Sequence, residues 1–104
     1  MESILHNYAR MYLEHLAETK PTMLRKMAKE EPDELIGILA AKVRTGIQWE
    51  AYYSKQGFRE DEVMELVNAI LCPPEDEVSD HPMSMAASDK IFTQLLKRES
   101  KKAI

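Results

Sequence analysis

The sequence predicts an all-α domain, a compact bundle of four to five helices built around a long central helix over about residues 32–56. Three observations carry this. The chain has only four Val and four Thr but seven Met, with abundant Leu, Ala, Glu and Lys, a balance that favours helix over strand. Its apolar residues recur at i, i+3 and i+4 through most of its length. The prolines and Gly57 fall between these periodic runs, where helices start and stop.

Length and composition set the outer limits. With 104 residues, 44% of them hydrophobic and 31% charged, the chain suits one globular domain spanning 1–104, with a core but little surplus stability. The lone cysteine, Cys72, has no intramolecular partner, and the N-terminus lacks the basic then apolar layout of a secretory signal, so a reducing, cytoplasmic setting is expected. No apolar run approaches the ~18 residues needed to span a bilayer, and no membrane partner is expected.

The first helix is predicted from Ser3, a plausible N-cap, to Glu18, with Ile4, Leu5, Tyr8, Met11, Tyr12, Leu13 and Leu16 on its apolar side. Thr19, Lys20 and Pro21 break it. A short second helix carries Met23, Leu24 and Met27 and must end before Pro32, which drives the preceding residue out of the α region. Pro32, Asp33 and Glu34 then make a favourable first turn for the third helix, and Gly57 is the natural left-handed residue to close it.

A fourth helix follows, with Arg59 near its N-cap, Glu60, Asp61 and Glu62 in its first turn, and Phe58 placed to staple onto Val63. Val63, Leu66, Val67, Ile70 and Leu71 supply its buried stripe until Pro73 and Pro74 end it. The stretch 73–82, PPEDEVSDHP, offers Val78 as its one aliphatic residue and reads as an acidic, proline-rich linker. Met83, Ala86, Ala87, Ile91, Phe92, Leu95 and Leu96 mark a final helix, and residues 97–104 form a basic end expected to fray.

The third helix has more apolar surface than one core face needs. At about 100° per residue, Leu35, Ile36, Leu39, Ala40, Val43, Ile47 and Ala51 share one arc, while Ile38, Ala41, Thr45, Trp49 and Tyr52 occupy another. In a bundle the second arc can be covered by the first or the last helix. Alternatively Ile38, Thr45, Trp49, Tyr52 and Tyr53 form a partner-binding or homodimer surface, since Trp and Tyr are favoured anchors. Glu50 falls inside the core arc and is expected to reach the bundle edge or pair with Arg10 or a histidine.

No catalytic or cofactor motif emerges. Gly37, Gly46 and Gly57 are too far apart for a phosphate-cradling loop, and Gly37 and Gly46 read instead as sites of close helix crossing. His6, His15 and His81 lack metal-ligand spacing, with Glu14, His15 and Glu18 as the one weak cluster, and no serine stands in a nucleophile elbow. Cys72 at a helix C-terminus is placed against thiolate formation. No cofactor, no metal and no enzymatic activity are expected.

Charge is unevenly spread. Residues 1–56 balance to zero, 57–80 carry a net −7 and 81–104 a net +3. Tyr53 to Leu71 has helix-turn-helix spacing, but the supposed recognition helix opens on three carboxylates that would face phosphates. The function expected is a small helical protein-binding module, a regulator, adaptor or inhibitor of a larger protein of the compact kind carried by phages and mobile elements. Two alternatives stand beside it. Lys97, Arg98, Lys101 and Lys102 could make a nucleic-acid-associated protein, or Glu60, Asp61, Glu62, Glu65, Glu75, Asp76, Glu77 and Asp80 could mimic phosphates and inhibit a nucleic-acid-binding partner.

Overall fold

In a computed structural model, which describes residues 4–73 and 81–102, the chain folds into five helices with no strand among those residues. They are α1 (Asn7–Thr19), α2 (Pro21–Glu30), α3 (Pro32–Lys55), α4 (Glu60–Leu71) and α5 (Met85–Lys102). The all-α architecture and the long helix predicted over about 32–56 are both present. No helix among the described residues is long and apolar enough to cross a membrane.

Local chemistry sets most boundaries. Lys20 closes α1 by donating its N–H to the Leu16 carbonyl at 2.7 Å, and Pro21 begins α2 at once because a first-turn residue needs no intrahelical N–H. Pro32 repeats this device at the start of α3, with Asp33 and Glu34 facing the positive helix end. At the other end of α3 the Gly57 N–H reaches the Ser54 carbonyl and the Phe58 N–H the Tyr53 carbonyl. Gly57 has φ +91°, so the termination is a Schellman turn of the kind that favours glycine.

Packing centres on two helices. Both α1 and α3 touch every other helix, so the central role predicted for α3 is shared with α1. Ile4, Leu13, Leu24, Leu35, Leu39, Val43, Val67 and Leu71 are fully enclosed between the elements. Gly46 sets the distance between α1 and α3: a methyl group there would lie 2.5 Å from Cδ2 of Tyr8. The ring of Tyr12, one turn along α1, receives the Lys42 ammonium 4.6 Å from its centroid.

Several expectations need correction. The first helix begins at Asn7, not Ser3, because His6 is the N-cap and its Nδ1 accepts the Tyr8 N–H at 3.1 Å. Ile4 is buried ahead of the helix, whereas Leu5 is 73% exposed. Gly37 has nothing near enough to constrain it and is not a crossing point. Phe58 lies edge-on to Tyr53 with centroids 5.7 Å apart, the apolar contact that accompanies a Schellman turn.

The last helix also differs. Met83 precedes it and is buried, its N–H bonded to the Ala17 carbonyl at 2.8 Å, while Ala86 is exposed and Ser88 takes a buried place. Within the basic end expected at 97–104, helix continues through Lys102. Arg98 grips Asp33 at the start of α3 with two bonds of 2.7 and 3.2 Å, and Glu99 accepts the Ile4 N–H at 3.1 Å. The linker expected at 73–82 lies for the most part outside the described residues.

Candidate functional site

The core arc of α3 stops at Gly46. From Ile47 through Tyr52 every residue is exposed, so this overhang of α3 is only thinly covered, by the starts of α1 and α4 around Glu50, until Tyr53 packs back against the core. This divides both predicted arcs by position along the helix rather than by face. Ile47 and Ala51, placed in the core arc by periodicity, are exposed. Ile38, Ala41 and Thr45 are half-buried, whereas Trp49 and Tyr52 are 39% and 52% exposed.

The overhang is aromatic and preformed. Trp49 stacks on Tyr53 with centroids 5.7 Å apart and planes 28° from parallel, and Tyr52 stands edge-on to both at 5.6 and 5.4 Å. Phe58 adds a fourth ring across the Gly57 turn. These distances fall in the favourable range for offset and edge-to-face pairs, which contribute ~0.5–1.5 kcal/mol each beyond burial. Tyr53 and Phe58 are accounted for by helix termination. Trp49 and Tyr52 are not needed for it, and they remain partly exposed aromatic surfaces packed on one another.

No known protein family matches the chain, and neither a curated protein nor a solved structure does. The site is therefore read from its own geometry.

Beside the aromatic cluster the same corner of the fold forms a cleft of about 450 Å³ lined by His6, Asn7, Tyr8, Glu50, Ser54, Glu60, Val63 and Met64. The Tyr8 hydroxyl donates to Glu50 Oε2 at 2.8 Å. Burial of the phenol, followed by its bond to Glu50 and that carboxylate's charge, pushes the Tyr8 pKa well above its ordinary value. Glu50 is thus tied to Tyr8, whereas Arg10, one of its expected partners, pairs with Asp89 and Glu14. A tyrosine held neutral in this way is a poor acid–base group near neutral pH.

The acidic residues separate into two sets. Glu60, Asp61 and Glu65 are exposed on α4, while Glu62 caps it by accepting the Arg59 N–H at 3.2 Å and the Arg59 side chain at 3.3 Å. Arg59 also approaches Asp61 at 3.6 Å. Glu75, Asp76, Glu77 and Asp80 lie outside the described residues. In the basic end Lys97 and Lys101 are exposed, but Arg98 is committed to Asp33. Among the described residues no three His, Cys, Asp or Glu side chains group as metal ligands.

The sequence flagged Trp49, Tyr52 and Tyr53 and missed Phe58 as their fourth member. The signal was available, since a Schellman turn at Gly57 brings the residue after glycine onto the residue five before it. Tyr8 as the partner of Glu50 had no such signal, because the pairing spans 42 residues and depends on how α1 crosses α3.

Proposed function

We propose that the chain is a small protein-binding module that docks through the overhanging end of α3, with Trp49 and Tyr52 as its anchors. The observation that carries this reading is the exposure of two aromatic rings, packed edge to face, on a part of α3 that the bundle covers only thinly. Rigid aromatic surface loses little conformational entropy on binding, and Trp and Tyr dominate interface hot spots. Tyr53 and Phe58 brace the anchors from behind. Cys72 is half-buried and in no disulfide, which is in keeping with a reducing compartment such as the cytoplasm.

Trp49→Ala combined with Tyr52→Ala tests the reading. Each anchor is expected to contribute at least ~2 kcal/mol to binding, so the double variant should lose partner capture while circular dichroism stays that of the wild type. A stoichiometric partner retained equally by both proteins would place the docking face elsewhere. Sedimentation of the wild type over a range of concentrations distinguishes a second copy from a different protein, since only self-association gives a concentration-dependent mass.

A further inference from the structure

Reading the α3 overhang as a docking face leaves its occupant open, and the charges around the rings narrow the choice. Trp49 is followed directly by Glu50, and Phe58 is separated from Glu60 by one residue, no more than about 7 Å of chain. Glu50 and Glu60 both line the adjoining cleft, whose wall includes the apolar Val63 and Met64. Asp61 and Glu62 complete the start of α4. Against these four carboxylates the corner carries two cations, Lys55 and Arg59, and Arg59 is already drawn onto Asp61 and Glu62.

Aromatic faces carry negative quadrupole potential, so rings and carboxylates here present one sign of field to an incoming group. We propose that the overhang docks a basic, arginine-bearing segment of a partner protein, with guanidinium planes stacking on Trp49 and Tyr52 and neighbouring cations reaching Glu50 and Glu60; this rests on the docking reading above. Arginine is favoured over lysine because its planar, weakly hydrated head stacks on rings and forks onto carboxylates. A second copy fits poorly. An isologous contact would set one acidic corner against another, and in the basic end of α5 the one arginine, Arg98, is held by Asp33, which leaves the exposed Lys97 and Lys101, poorer stacking partners for the rings.

The test uses the full chain and three probes, peptides of about twelve arginines, lysines or glutamates, followed by calorimetry and by the fluorescence of Trp49, the single tryptophan. The arginine peptide should bind saturably and perturb Trp49, the lysine peptide several-fold more weakly, and the glutamate peptide not at all. Binding should weaken about tenfold as salt rises from about 50 to about 300 mM.

Glu50→Gln with Glu60→Gln should weaken the arginine peptide about tenfold, and Trp49→Ala with Tyr52→Ala should do the same by calorimetry. Arg59→Gln, which removes a competing cation, should strengthen it. Glu30→Gln with Glu31→Gln removes the same charge at the far end of α3, roughly 29 Å along the helix from Glu50, and should change nothing. Equal loss in that control pair would mean bulk attraction and overturn the proposal, as would no binding up to about 1 mM at low salt.

Two outcomes would move the occupant without removing the face. Failure of the arginine peptide, while Trp49→Ala with Tyr52→Ala still abolishes capture of a stoichiometric partner, would overturn the cationic occupant and leave the docking reading standing. A wild-type dimer dissociated by the same double variant would overturn it in favour of a second copy.

Discussion

Single side chains decide how α1 and α3 meet, and Gly46 is the clearest case. Alanine at an exposed helical glycine should stabilise by about 0.5–1 kcal/mol, because glycine loses the most backbone entropy on folding. Gly37→Ala has open space around it and should show that gain as a higher denaturant midpoint. Gly46→Ala meets the Tyr8 ring instead, and should destabilise by about 1–3 kcal/mol through overpacking. Tyr8 has a second role. Tyr8→Phe removes the hydroxyl bonded to Glu50 and should cost about 1 kcal/mol at neutral pH. The sign with pH follows from the raised folded-state pKa: the contribution is complete below the unfolded phenol pKa of about 10 and is lost as pH rises above it. The stability gap between wild type and Tyr8→Phe should therefore close in alkaline denaturant titrations and stay constant between about pH 7 and 9.

The boundary devices at element scale can be tested one by one. Gly57 holds φ +91° at the end of α3, so Gly57→Ala should cost about 1–2 kcal/mol and loosen the Tyr53–Phe58 contact that follows from the turn. Its effect should appear as lower stability without loss of helix content. At the other end of the chain Arg98 and Glu99 fasten α5 to the start of α3 and to Ile4. Native-state hydrogen exchange should find the amides of residues 95–99 protected, and Arg98→Ala should speed exchange there selectively. A uniform change across α1 and α3 would show that the pair stabilises the whole bundle rather than this helix end.

Taken whole, the molecule is a slab of 42 × 40 × 19 Å, and its thin dimension is about two helix diameters. A two-layer arrangement can enclose only the surfaces where layers meet, so part of a helix of 24 residues can stay thinly covered. The consequence is a steep difference in tolerance along α3. Leu39→Ala, in the enclosed half, should cost about 2–5 kcal/mol by leaving a cavity. Trp49→Ala removes mainly its stacking on Tyr53 and Tyr52 and should cost about 1 kcal/mol. Thermal unfolding of the two variants checks the contrast, and a comparable loss for Trp49→Ala would mark it as a structural residue and weaken the docking reading.

Periodicity and punctuation in the sequence were enough for the helices themselves. Apolar spacing is an intrinsic property of an amphipathic helix, and Pro21, Pro32, Gly57 and Pro73 act on backbone geometry within a turn of where they stand. Trp49, Tyr52 and Tyr53 were legible as surplus apolar area for the same local reason. Their exposure was not, because a helical wheel gives direction around an axis and no position along it. It placed Ile47 with Leu39, though Ile47 is 37% exposed and Leu39 is fully buried. The Tyr8–Glu50 bond, the Tyr8–Gly46 contact and the Arg98–Asp33 clasp join residues 42, 38 and 65 positions apart. Only the crossing of packed helices decides such partners, since it is set by the fit of whole side-chain surfaces rather than by any one stretch of chain.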